Sequence, residues 1–263
     1  ARLHQGRHRR VGRMSDFQPT EEQAVIIGHD ASAFISACPG AGKTKVMVER
    51  ARHLLKDRNN DRGIAFLSFT NTAVSELETR LRAEHLLRSP AFPHFIGTFD
   101  SFLWQFLVAP FGVDGTDKSP RLIPDKDSRN VTPFANARAI PLRVFDRTTG
   151  AVIERYGREL RFNPQGRQAR TYATAAMRSR RAAIERGELD FDDARAIALS
   201  RCNDTAISAR LGSALAARFR EVIVDEAQDC NPADLDIIKW LRDAGIPTKV
   251  ICDPHQSIYE FRG

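Results

Sequence analysis

The sequence predicts an α/β protein: a parallel sheet with helices on both faces, interrupted by a smaller, mostly helical and basic insertion. Three observations carry this. From Ala33 onward short β-rich runs alternate with helical runs, the pattern of repeated β-α units. A glycine-rich turn ending in Lys43-Thr44 stands directly between the first strand and the helix that follows it. Across residues 111–187 the alternation stops, five of the 13 prolines (Pro120, Pro124, Pro133, Pro141, Pro164) appear, and basic residues outnumber acidic ones by 16 to 8.

Taken in order, residues 33–37 (AFISA) read as a buried strand and 43–55 as a helix. Residues 64–69 (IAFLSF) read as a second strand, and 71–84 as a helix with Ala73, Val74, Leu77 and Leu81 on one stripe. Residues 94–98 make a third strand, followed by a helix over 99–108. Periodicity is poor after residue 111 until an alanine- and arginine-rich helix around 173–186. Then the alternation resumes: helices over 190–200 and 205–218, a strand at 222–224, a helix over 232–244 with proline in its first turn, and a strand at 249–252. One sheet, interrupted and continued, accounts for both halves. The expected organisation is a disordered basic tail at 1–13, a sheet domain made of 14–110 and 188–263, and an inserted subdomain at 111–187.

The 263 residues, 42% hydrophobic and 28% charged, suit an ordinary globular protein and exclude a disordered or collagen-like chain. The apolar stretches, such as 102–109, fall far short of the roughly 20 residues that cross a bilayer, so no membrane span is expected. Cys38, Cys202, Cys230 and Cys252 form no C-x-x-C pair, which suggests neither a zinc site nor a disulfide framework and makes a cytoplasmic location the expectation. The tail precedes Met14, the expected start, and holds five arginines and no acid. A polyanionic partner would be drawn to 111–187. A solvated, arginine-rich face is the open alternative.

The strongest chemical signal is Ala37-Cys38-Pro39-Gly40-Ala41-Gly42-Lys43-Thr44 between a strand and a helix. There G-x-x-x-x-G-K-[ST] forms a phosphate loop: glycines let backbone N–H groups face the phosphates, and the helix N-terminus adds its positive end. Ala37 stands where the strict pattern has glycine. Lys43 would reach the β- and γ-phosphates and the Thr44 hydroxyl would bind magnesium; the bland alternative is a tight strand-to-helix turn. The second signal is the apolar run Val222-Ile223-Val224 ending in Asp225-Glu226. It places Asp225 at the sheet edge, where a magnesium ion carried by a nucleotide sits, and Glu226 within reach of an attacking water. Alternatively the two acids cap the next helix.

These motifs and their order resemble the UvrD/Rep-like helicases, whose motor consists of two RecA-like domains. The resemblance covers residues 17–263 apart from the insertion. Phe17-Gln18-Pro19-Thr20-Glu21-Glu22-Gln23 resembles the family's Q motif, which implies that Gln23 reads the adenine edge of ATP. Ser68-Phe69-Thr70-Asn71-Thr72-Ala73 and Gly97-Thr98-Phe99-Asp100-Ser101-Phe102 resemble motifs that grip single-stranded DNA, implying contacts by Phe69, Thr70, Asn71, Thr98 and Phe99; Asp100 replaces the family's usual histidine. Leu189-Asp190-Phe191-Asp192-Asp193 resembles the acidic block before motif II, and Asp225-Glu226-Ala227-Gln228-Asp229 is motif II itself. Residues 250–263 resemble motif III, with Cys252 in place of its glycine, so that Gln256 would sense the γ-phosphate while Tyr259 and Phe261 offer aromatic faces to bases. For Phe69, Phe99, Tyr259 and Phe261 a place in the core is the open alternative. No motif matches the insertion, where Arg178, Arg180 and Arg181 are candidate phosphate contacts.

The resemblance implies a RecA-like P-loop NTPase domain, the ATP-binding half of a DNA helicase or translocase that uses ATP and magnesium on single-stranded or partly duplex DNA in the family's usual 3′ to 5′ direction. The second RecA-like domain, with its arginine finger worth about 10³–10⁵ in rate, would follow Gly263, so this portion alone is expected to hydrolyse ATP poorly. A different class stays open: a nucleotide-gated DNA-binding subunit of a repair or defence complex, with a nuclease or repair protein as partner and no unwinding activity.

Overall fold

The computed structural model describes residues 17–57, 59–163, 166 and 168–253. The expectations for the 1–13 tail, Met14, Gln256, Tyr259 and Phe261 lie outside the described residues. The chain begins with helix α1 (Glu21–Gly28), strand β1 (Ala33–Ser36), α2 (Lys43–Leu55), β2 (Gly63–Ser68), α3 (Asn71–Ala83), β3 (Phe95–Thr98) and α4 (Phe99–Phe102). Short strands β4 (Arg121–Leu122), β5 (Asn130–Val131) and β6 (Ile140–Pro141) follow, then α5 (Glu154–Glu159), α6 (Ala169–Glu185) and β7 (Glu188–Leu189). The chain then forms α7 (Phe191–Asn203), α8 (Thr205–Arg218), β8 (Phe219–Val224), α9 (Pro232–Asp243) and β9 (Thr248–Cys252).

Five strands make one parallel sheet in the order β1-β9-β8-β2-β3. Alternate residues of each strand face opposite layers. Ile64, Phe66 and Ile223 meet Met47, Ala51 and Leu54 of α2 and Leu77 and Leu81 of α3. Ala65, Leu67, Val222 and Val224 meet Phe102, Ala194, Leu215, Ile237 and Leu241 on the other side. Both faces are covered, which is why β2 and β8 read as continuous apolar runs. A third cluster, Val131, Ile140, Leu142, Val144, Phe145, Tyr172 and Ala176, lies wholly within 111–187.

The structure moves several expected boundaries. β8 begins at Phe219, three residues before the expected strand, because the charge of Glu221 is hidden: the residue is 1% exposed and ion-paired with Arg50. The helix expected over 99–108 is α-helical only to Phe102 and widens into π-helical turns over Leu103–Val108. α1 has no apolar stripe and no buried side chain, so periodicity does not reveal it.

The insertion's positive charge is balanced in part from outside its boundaries. Arg129 and Arg186 pair with Glu188, and Arg147 with Asp190 and Asp193, while Lys126, 0% exposed, binds Asp190 and Asp193. Arg180 is buried and donates to Asp127 and to the carbonyls of Leu142 and Phe145, which removes it from the candidate phosphate contacts; Arg178 and Arg181 remain exposed.

Candidate nucleotide and nucleic-acid site

Parallel strands deliver all their C-terminal ends to one edge of the sheet, and the described candidate residues gather there. β1 ends into the phosphate loop, whose Ala37 N–H donates to Cys252 O at 3.0 Å, so the loop leaves the sheet alongside the end of β9. Gly40 and Gly42 hold φ of +78° and +79°, a conformation that glycine adopts without a Cβ penalty. Gly42 is the N-cap of α2 and supplies no side-chain acceptor, so the first N–H groups of a 13-residue helix face the loop uncapped. Free helix N–H groups of this kind suit an anion, and Lys43 and Thr44 stand in the same first turn.

Lys43 reaches across the edge. Its Nζ donates to Glu226 Oε1 at 3.3 Å and lies 3.9 Å from Asp253 Oδ2. Asp225 and Glu226 follow β8 directly; the Asp225 N–H still donates to Leu67 O of β2 at 2.8 Å, so its place is fixed by the sheet. Burial, and then the charge of Glu226, push the Asp225 carboxyl up to about 6. Its Oδ1 is buried with no hydrogen-bond partner among the described residues. A buried carboxylate oxygen without a partner, on a group that feels the charge of Lys43, fits a divalent cation, whose charge reverses the penalty of burial. Glu226 occupies the left-handed region (φ 56°, ψ 41°), a strain of about 1–3 kcal/mol for a residue with a side chain, held where the strand turns into Ala227–Asp229.

Sequence reasoning gave Gln228 no role of its own, yet it ties the edge together. The side chain is buried; Nε2 donates to Glu226 Oε2, while Oε1 accepts from the Asp253 N–H at 3.0 Å. The signal was the spacing: a turn of 3₁₀-helix after Glu226 brings residue i+2 back over it. Gln23 is placed by α1. Its Oε1 accepts from the Thr20 N–H at 3.0 Å in a capping box, and its Nε2 donates to Ala41 O at 2.9 Å, so the amide is oriented against the phosphate loop.

The ends of β2 and β3 carry the other candidates. Ser68 pairs with Thr98 in the sheet register, and the following residues, Phe69 and Phe99, stack with centroids 5.3 Å apart and planes 21° from parallel. Phe69 is half-buried, but Phe99 is 1% exposed in the core, so it has no face for a base and instead backs Phe69. Thr70 caps α3 through the Ala73 N–H, with Asn71 exposed beside it. Thr98 caps α4 through the Ser101 N–H, its hydroxyl 2.7 Å from that of Ser101. Asp100 turns inward: Arg195 Nη2 donates to it at 2.6 Å while Arg195 Nε donates to buried Asp234, also at 2.6 Å. The carboxylate in the histidine position is thus a strut to α7 and α9.

Among the described residues no cluster of three or more His, Cys, Asp or Glu could hold a metal ion, and no helix is long and apolar enough to cross a membrane.

A parallel sheet with a strand–glycine loop–helix at one strand and paired carboxylates ending another defines a RecA-like, P-loop nucleotide-binding domain. The family model of the UvrD/REP helicase N-terminal domain matches residues 17–263, and the chain belongs to that family. Among its relatives are a probable DNA helicase II homolog of Mycoplasma capricolum, 26% identical over 96% of this chain and 36% of its own length. The ATP-dependent DNA helicase PcrA of Staphylococcus epidermidis is 26% identical over 93% of the chain and 34% of its own length. The ATP-dependent DNA helicase UvrD1 of Mycobacterium tuberculosis is 28% identical over 95% and 34%. The chain thus spans about a third of the length of these relatives.

Proposed function

We propose that this domain is the ATP-binding half of a DNA helicase or translocase that couples ATP hydrolysis to movement along single-stranded DNA in the 3′ to 5′ direction. The observation that carries the proposal is the shared edge: Lys43, Asp225 and Glu226 meet over β1, β9 and β8, while Phe69, Thr70, Asn71 and Thr98 follow the adjacent β2 and β3.

Gln23 offers adenine its remaining N–H and lone pair, already oriented by Thr20 and Ala41. The α2 N-terminus and Lys43 hold the phosphates. Thr44 and Asp225 would hold the magnesium ion that accompanies ATP, which supplies neutralising charge. As Lys43 turns to the phosphates it releases Glu226 Oε1, while Oε2 stays fixed by Gln228. The freed oxygen is then the general base that takes a proton from the attacking water. DNA is gripped by the exposed polar groups of Thr70 and Asn71 and by the open face of Phe69. Gln256, Tyr259 and Phe261 lie outside the described residues; the family resemblance assigns Gln256 to the γ-phosphate and the two aromatics to bases.

The test is steady-state ATP hydrolysis by the full natural chain, with and without single-stranded DNA, beside the Glu226→Gln variant. Stimulation by DNA and a fall of about 10²–10⁴ in the variant are expected. DNA binding without stimulation would replace the motor with a nucleotide-gated binding subunit.

A further inference from the structure

Helix α1 carries Gln23 but has no fully buried side chain; among the described contacts only half-buried Ile26 packs it onto the core, so hydrophobic packing does little to fix where it sits. Its C-terminal end is hooked instead by two cations rooted in the sheet domain. Arg50 of α2, 2% exposed, donates from Nη1 to Ile27 O at 2.8 Å and from Nη2 to Asp30 at 3.1 Å. Lys249 of β9, also 2% exposed, donates from Nζ to His29 O at 2.7 Å and to Ala31 O. Both converge on Glu221 of β8: Arg50 grips it with two bonds of 3.0 and 2.5 Å, and Lys249 Nζ lies 3.9 Å away. Every residue from Ile27 to Ala31 except Gly28 therefore gives a carbonyl or carboxylate to one buried cluster.

Buried cations are costly unless paired and fully hydrogen-bonded, and here the carbonyls of the 27–31 loop complete their shells. The dependence runs both ways, since the same bonds fix α1 relative to the phosphate loop. We propose that the Arg50–Glu221–Lys249 cluster is a positioning device for base selection: it holds α1 at the height at which Gln23 meets the adenine edge, while the phosphates are held at the other end of α2, about two turns from Arg50. The inference rests on Gln23 reading adenine. It assigns the choice of base to residues that touch no nucleotide.

Two variants test it in the full natural chain. Lys249→Met removes one hook and leaves Glu221 paired with Arg50. Asp30→Ala removes an 80%-exposed carboxylate that no core packing needs. Each is compared with wild type for KM and kcat on ATP and on GTP, with the melting temperature measured alongside. The expected result is a rise of about five- to tenfold in KM for ATP, the scale of one neutral hydrogen bond, with kcat within about twofold and KM for GTP unchanged. Gln23→Ala should give the same loss of preference, and combining it with Lys249→Met should add nothing further. If Gln23→Ala lowers the ATP preference while folded Lys249→Met and Asp30→Ala keep it, or weaken ATP and GTP equally, the cluster is only structural and the inference falls. If Gln23→Ala leaves the preference intact, the adenine reading itself is wrong and the inference goes with it.

Discussion

Gln228 and Glu226 show how much one side chain can depend on another. Both ends of the Gln228 amide are engaged, one by the catalytic candidate and one by the first residue after β9. Gln228→Ala frees Glu226 Oε2 without touching the phosphate loop, so kcat should fall by about tenfold or more while the affinity for a fluorescent ADP analogue stays unchanged. His94 gives a pH-dependent case. Its Nδ1 accepts the Ile64 N–H at 3.1 Å, and burial, then the charge of Arg220, lower its pKa from the ordinary 6.5. The folded state prefers the neutral ring, so the stability it contributes is present above pH 6.5 and is lost as pH falls from there through the lowered folded value. The melting temperature should drop across that window, and His94→Asn, whose amide oxygen can accept the same N–H without titrating, should flatten the drop. Lys43, Asp225 and Glu226 were legible because their chemistry is written locally, in a loop and a strand end. The partners Gln228, Asp253 and Arg195 were not, because a hydrogen-bond partner 25 or 95 residues away leaves no mark on local pattern.

Elements hold through their ends as much as through their faces. Asp190 caps α7, where its Oδ1 accepts the Asp193 N–H at 2.9 Å, and it also pairs with Arg147 and with the fully buried Lys126. Loss of an ordinary N-cap costs about 1 kcal/mol. Asp190→Ala also strips a buried cation of one of its carboxylates, so chemical denaturation should show a loss nearer 3 kcal/mol, the scale of a broken buried pair. The helices with strong punctuation, α3 behind Thr70 and α9 behind Asn231-Pro232, agree with the sequence reading to within a residue at each end. The short strands of the insertion escaped it because two residues are too few to show a period, and α1 because it sets little more than Ile26 against the core. The insertion reads as more basic than it is, since carboxylates that balance part of its charge fall just past its end at Glu188, Asp190 and Asp193.

At the scale of the whole molecule, the sheet order brings Lys43, Asp225 and Glu226 and the stacked Phe69 and Phe99 to one edge, while the exposed Arg178 and Arg181 stand on α6 outside the sheet. If these two touch DNA phosphates, the double variant to alanine should weaken binding uniformly across sequences and reduce the salt slope by about 2, as measured by fluorescence anisotropy over a salt series. The parallel α/β architecture was legible from β-α alternation, but strand order was not, because β8 and β9 enter the middle of the sheet. That order also sets a timetable at the ribosome. Ala33 of β1 pairs with Lys249 of β9, and Gly63 of β2 with Phe219 of β8. At about 5–20 residues per second, β1 emerges roughly 10–40 s before the strand beside which it belongs. During that interval its exposed Phe34 and its unpaired backbone are open to any passing strand. Shielding β1 on the nascent chain should therefore raise the yield of folded domain.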